Sequence, residues 1–445
     1  MAETRTNIAY LSGLWQSVAE RGRAWVGLAR PAPPSVESLL DLCRKLLKGR
    51  GEASGAVAAM AILEGYELLG EPDRGLFLVK LCENFGADLE ALRTAAEAFL
   101  ESPDAARASD LFVRAEPQRQ ELIRRLNHAP GGTFALVRMR ETLLQAIRQG
   151  APLAPLDADF RHLFASWFNR GFLVLRRIEW TTPANILEKI IRYEAVHEIS
   201  TWEELRRRLD PPDRRLYAFF HPALVDEPLI FVEVALTSAI PDAIAPLLEA
   251  EREPMAPEGA TTAAFYSISN AQSGLAGVSF GNFLIKQVVE DLRREWPRLQ
   301  TFVTLSPVPG FARWLAEERA KEDSRFLTPE SRRAIEAIEA GETPEQGERT
   351  LAVLAAAYFL HARTESGRVI DPVARFHLGN GARLERINPR GDRSAAGLKQ
   401  SLGVMVNYQY DLDHIEANHE AFANRGAVAA SSAVRKLAAG FALKG

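Results

Sequence analysis

The hydrophobic pattern of this chain changes period part-way along, and that change constrains the fold more than any single motif does. Over the first 150 residues apolar side chains recur at three- and four-residue spacing, the repeat of amphipathic helices. Leu39, Leu42, Cys43, Leu46 and Leu47 share one such face. Val57, Met60, Ala61, Glu64 and Leu68 read as a second, and Leu76, Val79, Lys80 and Glu83 as a weaker third. Leu89, Leu92, Ala96 and Phe99 form a fourth, and Phe134, Val137, Leu144 and Ile147 close the series before Gly150. Breakers such as Gly70-Glu71-Pro72-Asp73, Ser102-Pro103-Asp104 and Ala129-Pro130-Gly131-Gly132 separate these faces, with Ser102 or Asp104 placed to cap the next helix. No fixed repeat length appears, so an antiparallel bundle is expected rather than a solenoid.

After the turn-rich segment 150–155 and one more helix around Phe160 to Asn169, the pattern shortens. Apolar or aromatic runs at 171–175, 216–220, 229–232, 264–268, 301–305 and 404–408 have the length of buried strands. Helical patterns at 283–296 and 351–363 lie among them. The chain therefore reads as α+β, with an all-α bundle over 1–166 and a mixed domain over 167–445.

Apolar residues make up 47% and charged residues 25%, an ordinary soluble composition. With a net charge of −4, no domain-wide basic footprint for nucleic acid is expected. The stretch Gly259 to Ile285 lacks charge and is long enough to cross a bilayer, but its serines, threonines, asparagines and four glycines exclude a membrane helix. Met1 to Arg5 leads into no apolar signal core, and Cys43 and Cys82 read as small core residues, so a cytoplasmic protein is expected.

That uncharged stretch carries the densest candidate site. Ser269 to Asn282 lies between a predicted strand and a predicted helix and is rich in glycine. Glycine permits close backbone approach, and the first turn of a helix offers unpaired N–H groups to an anion such as pyrophosphate. Neither GxGxxG nor GxxxxGK[ST] occurs there. Gly277-Val278-Ser279-Phe280-Gly281 matches GxSxG, but the residues before it do not read as the strand that a hydrolase nucleophile at Ser279 requires. A second candidate is Ser306, in the stiff turn Ser306-Pro307-Val308-Pro309-Gly310 just past the strand 301–305. A third is His377, read as part of a glycine-bearing turn at 376–382 and suited by its near-neutral titration to proton transfer. Asn407-Tyr408-Gln409-Tyr410 lies on the last strand, with both tyrosines on one face. His414 and His419 give a weak metal hint that reads better as a solvated face, and no metal site is expected.

Taken together, these segments resemble the malonyl-CoA decarboxylase family over roughly residues 130 to 430. The likeness is carried by Phe265-Tyr266-Ser267-Ile268-Ser269, Gly274-Leu275-Ala276-Gly277-Val278, Phe283-Leu284-Ile285-Lys286, Leu305-Ser306-Pro307-Val308-Pro309-Gly310-Phe311 and Phe376-His377-Leu378-Gly379-Asn380-Gly381-Ala382. Arg386-Ile387-Asn388 and 407–410 extend it. The resemblance implies a helical oligomerisation domain, forming a homodimer or homotetramer, followed by a GNAT-like mixed α/β catalytic domain that binds acyl-CoA. Of the acetyltransferase pattern Q/R-x-x-G-x-G/A, Gln272 and Gly277 fit, while Leu275 stands where the first glycine is usual.

By the same resemblance, CoA falls on Ala276, Gly277, Val278, Ser279, Phe280, Gly281 and Asn282, with Ile285 against the pantetheine arm. Ser306 and His377 are the implied catalytic pair. Backbone near Ser267, Ser269 and Asn270, with Tyr410, is expected to face the reacting acyl group. Malonyl-CoA is the implied substrate and acetyl-CoA the product, in fatty acid metabolism. No separate cofactor is expected, because the thioester accepts the electrons left by CO₂. An acetyltransferase on the same CoA site and a non-catalytic CoA-binding regulator are the alternatives. The end Ala442-Leu443-Lys444-Gly445 differs from a Ser-Lys-Leu peroxisomal address, in keeping with the cytoplasm.

Overall fold

Ser35 opens the first helix with a capping box, its hydroxyl taking the Ser38 N–H while the Ser38 hydroxyl takes the Ser35 N–H. The structure is a computed structural model and describes residues 34–49, 51–278, 284–340 and 345–441. Eight α-helices follow one another among the described residues: α1 Val36–Lys48, α2 Glu52–Leu68, α3 Glu71–Asn84, α4 Leu89–Glu101, α5 Ala105–Ala115, α6 Gln118–Asn127, α7 Gly132–Arg148 and α8 Ala154–Trp167. Asp104 caps α5 by accepting from Arg107 N–H at 2.8 Å, as its position in the breaker suggested.

The helices marked by the pattern are present, but the buried faces of α2, α3, α4 and α7 differ from those expected: α4 buries only Ala95, with Leu89 75% exposed, and α7 buries Leu136, Met139 and Leu143 beside Val137. In α2 the core takes Ala59, Ile62, Leu63 and Tyr66, while Leu68 is 74% exposed and Glu64 faces water. In α3 it takes Phe77, Leu78 and Leu81, and Leu76 is exposed. Each helix is apolar on more than one stripe, so period alone could not choose. The charged members Glu64, Lys80 and Glu83 marked the wrong stripe, because burying a charge is the costlier choice.

The described chain divides into two compact units. One holds 34–172 with His221–Val225 and 272–278, and the other holds 173–220, 226–271 and the described residues from 284 on. Residue 166 thus falls inside α8, and two later segments of the chain belong with the helices.

The second unit is built on an eight-stranded sheet of order β1-β2-β3-β4-β5-β8-β6, with β7 also paired to β8. Its elements in chain order are β1 Val174–Ile178, α9 Ala184–Tyr193, α10 Trp202–Leu209, β2 Arg214–Phe220, β3 Pro228–Thr237, α11 Ala245–Leu248, β4 Thr262–Asn270, α12 Leu284–Glu295, β5 Thr301–Thr304 and β6 Ser306–Pro307. Then come α13 Phe311–Arg319, α14 Pro329–Glu339, α15 Glu345–His361, α16 Pro372–Gly379, β7 Arg383–Asn388, α17 Ala395–Ser401, β8 Met405–Gln409, α18 Ile415–Arg425 and α19 Ser432–Leu437. The α+β class holds, with helices first and a mixed sheet after them.

One face of the sheet buries Leu216, Ala218, Phe220 and Phe231 against Ile186, Leu187 and Ile190 of α9 and Leu205 of α10. Ties to α12 come from Arg215, whose Nη2 meets Glu295 Oε1 at 2.8 Å and whose guanidinium lies over Trp296. The parallel pair β4–β5 runs in register only from Thr262↔Thr301 to Phe265↔Thr304. Leu305 N–H then donates to Phe265 O at 2.9 Å, and the two strands part. β4 continues to Asn270, while Ser306 and Pro307 pair instead with Val406 and Met405 of β8.

The corrected face of α2 is directly testable. Ile62→Ala is expected to lower unfolding stability by about 2–5 kcal/mol, and Leu68→Ala by less than about 0.5 kcal/mol. Denaturant melts of the two variants decide this, and a larger loss at Leu68 would restore the other face.

Candidate active site

The parting of β4 from β5 sets the geometry around Ser306. Its cross-strand partner is Val406, so Ser306 shares a face with Tyr408 and Tyr410. Ser306 Oγ lies 2.8 Å from Thr304 Oγ1 and 3.2 Å from His377 Nε2. His377 Nδ1 lies 2.8 Å from Tyr410 Oη. Ser306, His377 and Tyr410, three residues expected in the site, therefore form one hydrogen-bonded line, which Thr304 completes.

His377 does not stand in a turn, as its neighbours Gly379 and Gly381 suggested. It occupies the last turn of α16, which Asp371 caps by accepting from Ala374 N–H at 2.8 Å, with Pro372 in the first turn. Gly381 follows with φ of +81°, and a Cβ there would meet Ile415 O at 2.1 Å. The glycines thus end the helix and let α18 approach. The imidazole stacks on Tyr408 at 4.6 Å and 25° and is only 3% exposed.

Burial dominates the electrostatics. The carbonyl end of a helix favours a cation, yet desolvation pulls the His377 pKa down to about 3. The same cause pushes Tyr410 up, so its phenol keeps its proton and donates to Nδ1. That assigns His377 as the Nε2–H tautomer, donating to Ser306 Oγ, with the Ser306 hydroxyl directed to Thr304. Asp371, buried against Tyr358, is raised by desolvation to about 6.

β4 brings in a second group. Ser267 Oγ donates to Glu194, 2.8 Å from each carboxylate oxygen, and Ser269 Oγ to Oε2 at 3.2 Å. Glu194 also accepts Val196 and His197 N–H, both at 2.8 Å, so it is buried but fully hydrogen-bonded. Asn270 is exposed at the end of the strand. Glu233 on β3, wholly buried and paired with Arg208 at 3.0 Å, is raised by desolvation to about 7.

The expected CoA loop is only partly described. Ser279, Phe280, Gly281 and Asn282 lie outside the described residues. Within 272–278, Ala276 N–H donates to Ser273 O and Val278 N–H to Leu275 O, so both are taken up inside the turn. Gly277 is exposed, with φ of +74°. Arg140 of α7, 1% exposed, anchors the loop through Nη1 to Gly274 O at 2.7 Å, while its Nε meets Asp157. A Cβ on Gly274 would meet Val137 O at 2.0 Å. Ile285 is packed with Val288, Val289 and Leu292 in the buried stripe of α12. Of the other histidines, His221 Nε2 pairs with Trp167 O, His414 with Asp411 and His419 with Gly379 O.

Arg140, Glu194 and Thr304, which hold the loop and the strands around these residues, were not singled out in the sequence. Only Thr304 had a signal, lying two residues before Ser306 and so on its side of an extended chain.

A buried serine–histidine pair thus stands at the parting of two parallel strands on an α+β scaffold, an arrangement suited to acid–base chemistry. The chain belongs to the malonyl-CoA decarboxylase family. Residues 171–444 match the "Malonyl-CoA decarboxylase C-terminal domain" and residues 85–168 the "Malonyl-CoA decarboxylase N-terminal domain". "Malonyl-CoA decarboxylase, mitochondrial" of Anser anser anser is 35% identical over 392 residues, covering 80% of this chain and 77% of the relative. The crystal structure of malonyl-CoA decarboxylase from Rhodopseudomonas palustris superposes with a TM-score of 0.87 at 61% identity, covering 91% of this chain and 100% of that one. The structure from Agrobacterium vitis gives 0.84 at 56% identity, with 90% and 99% coverage.

A neutral His377 has a spectroscopic consequence. Nitrogen-15 spectra of histidine-labelled protein are expected to show one Nε2–H imidazole that does not titrate between pH 5 and 8. Its signal should be missing from His377→Asn. Titration of that ring near pH 6.5 would overturn the assignment. The sign for stability follows: the depressed pKa contributes stability in full above about 6.5 and progressively less as pH falls toward about 3.

Proposed function

We propose that this protein is a carboxy-lyase that converts malonyl-CoA to acetyl-CoA and CO₂ through a thioester enolate, with Ser306 and His377 as its catalytic pair. The observation that carries the mechanism is the line Tyr410–His377–Ser306 at the parting of β4 and β5. Breaking the carboxylate C–C bond leaves two electrons on the α-carbon, and the adjacent thioester carbonyl takes them as an enolate. The substrate supplies its own electron sink, and the protein supplies position, donors and a proton. Orientation matters because the breaking bond must stand perpendicular to the thioester plane.

Ser306 hydrogen-bonds the malonyl carboxylate and then the enolate. The α-carbon takes a proton from His377 Nε2, directly or through Ser306 Oγ. A solvent proton restores Nε2 as acetyl-CoA leaves, while Tyr410 keeps its own proton and holds the ring through its hydrogen bond to Nδ1. For the enolate oxygen, β4 offers backbone donors. Ala271 N–H donates to Leu229 O, and hydrogen-bonding direction alternates along an antiparallel strand. Ser269 N–H thus faces β3, while Ile268 and Asn270 N–H face the edge that β5 has left. By family likeness we place the CoA pyrophosphate on Ala276 to Asn282.

Self-association through the helical unit belongs to the same reading, as a homodimer or homotetramer. Helix α5 buries no residue, yet Leu89, Leu100, Phe112 and Val113 of α4 and α5 are 61–78% exposed. Flanking charges are paired locally, Asp104 with Arg107 and Asp110 with Arg114, which suits a second copy of the same surface. Cys43 and Cys82 are free thiols, in keeping with a reducing cytoplasm.

With malonyl-CoA as sole substrate, CO₂ and acetyl-CoA are expected to accumulate in equal amounts. Ser306→Ala and His377→Asn are each expected to lower turnover by about 10²–10⁴-fold. Malonyl-CoA bound but left intact by the wild type would overturn the reaction. Undiminished turnover in His377→Asn would overturn the proton donor. Separately, Phe112→Asp with Leu100→Glu is expected to lower the mass in solution by light scattering, and an unchanged mass would remove α4 and α5 from the interface.

A further inference from the structure

The ladder between β8 and the strands that carry Ser306 is interrupted. Val303 pairs with Gln409, and Ser306 with Val406, so both ends share one register. Between them the two ladder pairs that would join Thr304 to Tyr408 and Leu305 to Asn407 are not formed. Leu305 N–H points the other way, to Phe265 O. Side chains take over the lost bonds. Thr304 Oγ1 accepts Tyr408 N–H at 3.1 Å, and Asn407 Nδ2 donates to Thr304 O at 2.8 Å.

Asn407 is wholly buried and uses its whole hydrogen-bonding capacity. Besides Thr304 O, Nδ2 donates to Pro241 O at 3.0 Å. Oδ1 accepts from Arg386 Nε at 3.1 Å and from Asn388 Nδ2 at 2.8 Å. Arg386 is itself held by Ile240 O at 2.9 Å. Because a guanidinium can only donate, the amide has one orientation, with Nδ2 toward Thr304. Asn407 lies on the face of β8 opposite Tyr408, so it touches neither Ser306 nor His377.

We propose that Asn407, oriented by Arg386 and Asn388, is a positioning residue that fixes Thr304 where the ladder breaks and so sets Ser306 against His377. This rests on the decarboxylase reading and adds the device that holds its serine in place. Asn407 acts through one bond to the backbone of Thr304. Thr304 then fixes Ser306 through the hydroxyl pair at 2.8 Å.

Asn407→Asp tests this selectively. It keeps acceptors for Arg386 and Asn388 but removes both donors, setting oxygen against Thr304 O and Pro241 O. Arg386→Lys is the second variant, keeping the charge and losing the planar donor fork. Each is expected to lower kcat about 10–100-fold with KM for malonyl-CoA changed less than about threefold, as for a group that orients the catalyst. In a Ser306→Ala background the further loss should be less than about threefold, because the effect travels through Ser306. An equal loss with and without Ser306 would overturn the proposal, as would wild-type turnover in both variants.

The His377 nitrogen-15 signal gives a readout independent of turnover. Its Nε2 shift is expected to move in Asn407→Asp, and an unmoved shift would overturn positioning. Wild-type protein that failed to release CO₂ while its variant still moved that shift would instead sink the decarboxylase reading alone.

Discussion

The separation of β4 from β5 after Phe265 and Thr304 is the constraint from which the rest of the site follows. Two parallel strands that stop pairing inside a sheet leave backbone donors and acceptors in a buried place, where each unpaired group costs about 1–3 kcal/mol. Side chains answer a second interruption, between β5 and β8, where Thr304 Oγ1 and Asn407 Nδ2 replace ladder bonds. Along β4, Glu194 collects the Ser267 and Ser269 hydroxyls and the N–H groups of Val196 and His197. Thr304 and Asn407 are thus the residues that make the interrupted β5–β8 ladder tolerable. Ser306 needs such support, because it stands on a two-residue strand directly after the break.

Burial also decides protonation. A line of phenol, imidazole and hydroxyl is sound only if every member is neutral and each finds a partner, and a half-satisfied line would cost more than an apolar core. Desolvation meets the first condition at His377 and Tyr410, and the distances of 2.8 and 3.2 Å meet the second. Behind β4 the same burial raises Glu233 to about 7, with Arg208 as its ion partner.

How much of this was legible varied with the kind of signal. Periodicity gave α1 to α4, α7, α8, α12 and α15 and the strands β2 to β5 and β8, since local pattern determines these. It gave neither α6 nor β7, nor the buried stripes of α2, α3, α4 and α7, which depend on neighbours distant in sequence. Ser306 and His377 stood out from their local sequence, family likeness gave them and Tyr410 their expected roles, and the structure joins the three into one line. The glycines around His377 suggested a turn, but they serve the end of a helix and the approach of Ile415. Asn407 was noticed only as part of the last strand, because nothing local marks a side chain that stands in for a missing ladder bond. Arg140, placed 134 residues before the Gly274 carbonyl that it anchors, has no local signature either.

The proposed neutral proton source, His377, fits what decarboxylation asks of a site. During decarboxylation, negative charge leaves the carboxylate and spreads over the thioester oxygen and α-carbon. A fixed cation beside the carboxylate would stabilise the ground state as well as the transition state, and such uniform binding does not raise kcat. Neutral donors such as Ser306 and His377 give the localised carboxylate little help, while the dispersed enolate needs only a few directed donors. The burial that keeps His377 uncharged therefore works in the direction of the reaction. It also sets a demand on geometry, because uncharged donors act only at hydrogen-bond distance. That is why the placement of Ser306, and hence of Thr304 and Asn407 behind it, carries the weight that a charge would carry elsewhere.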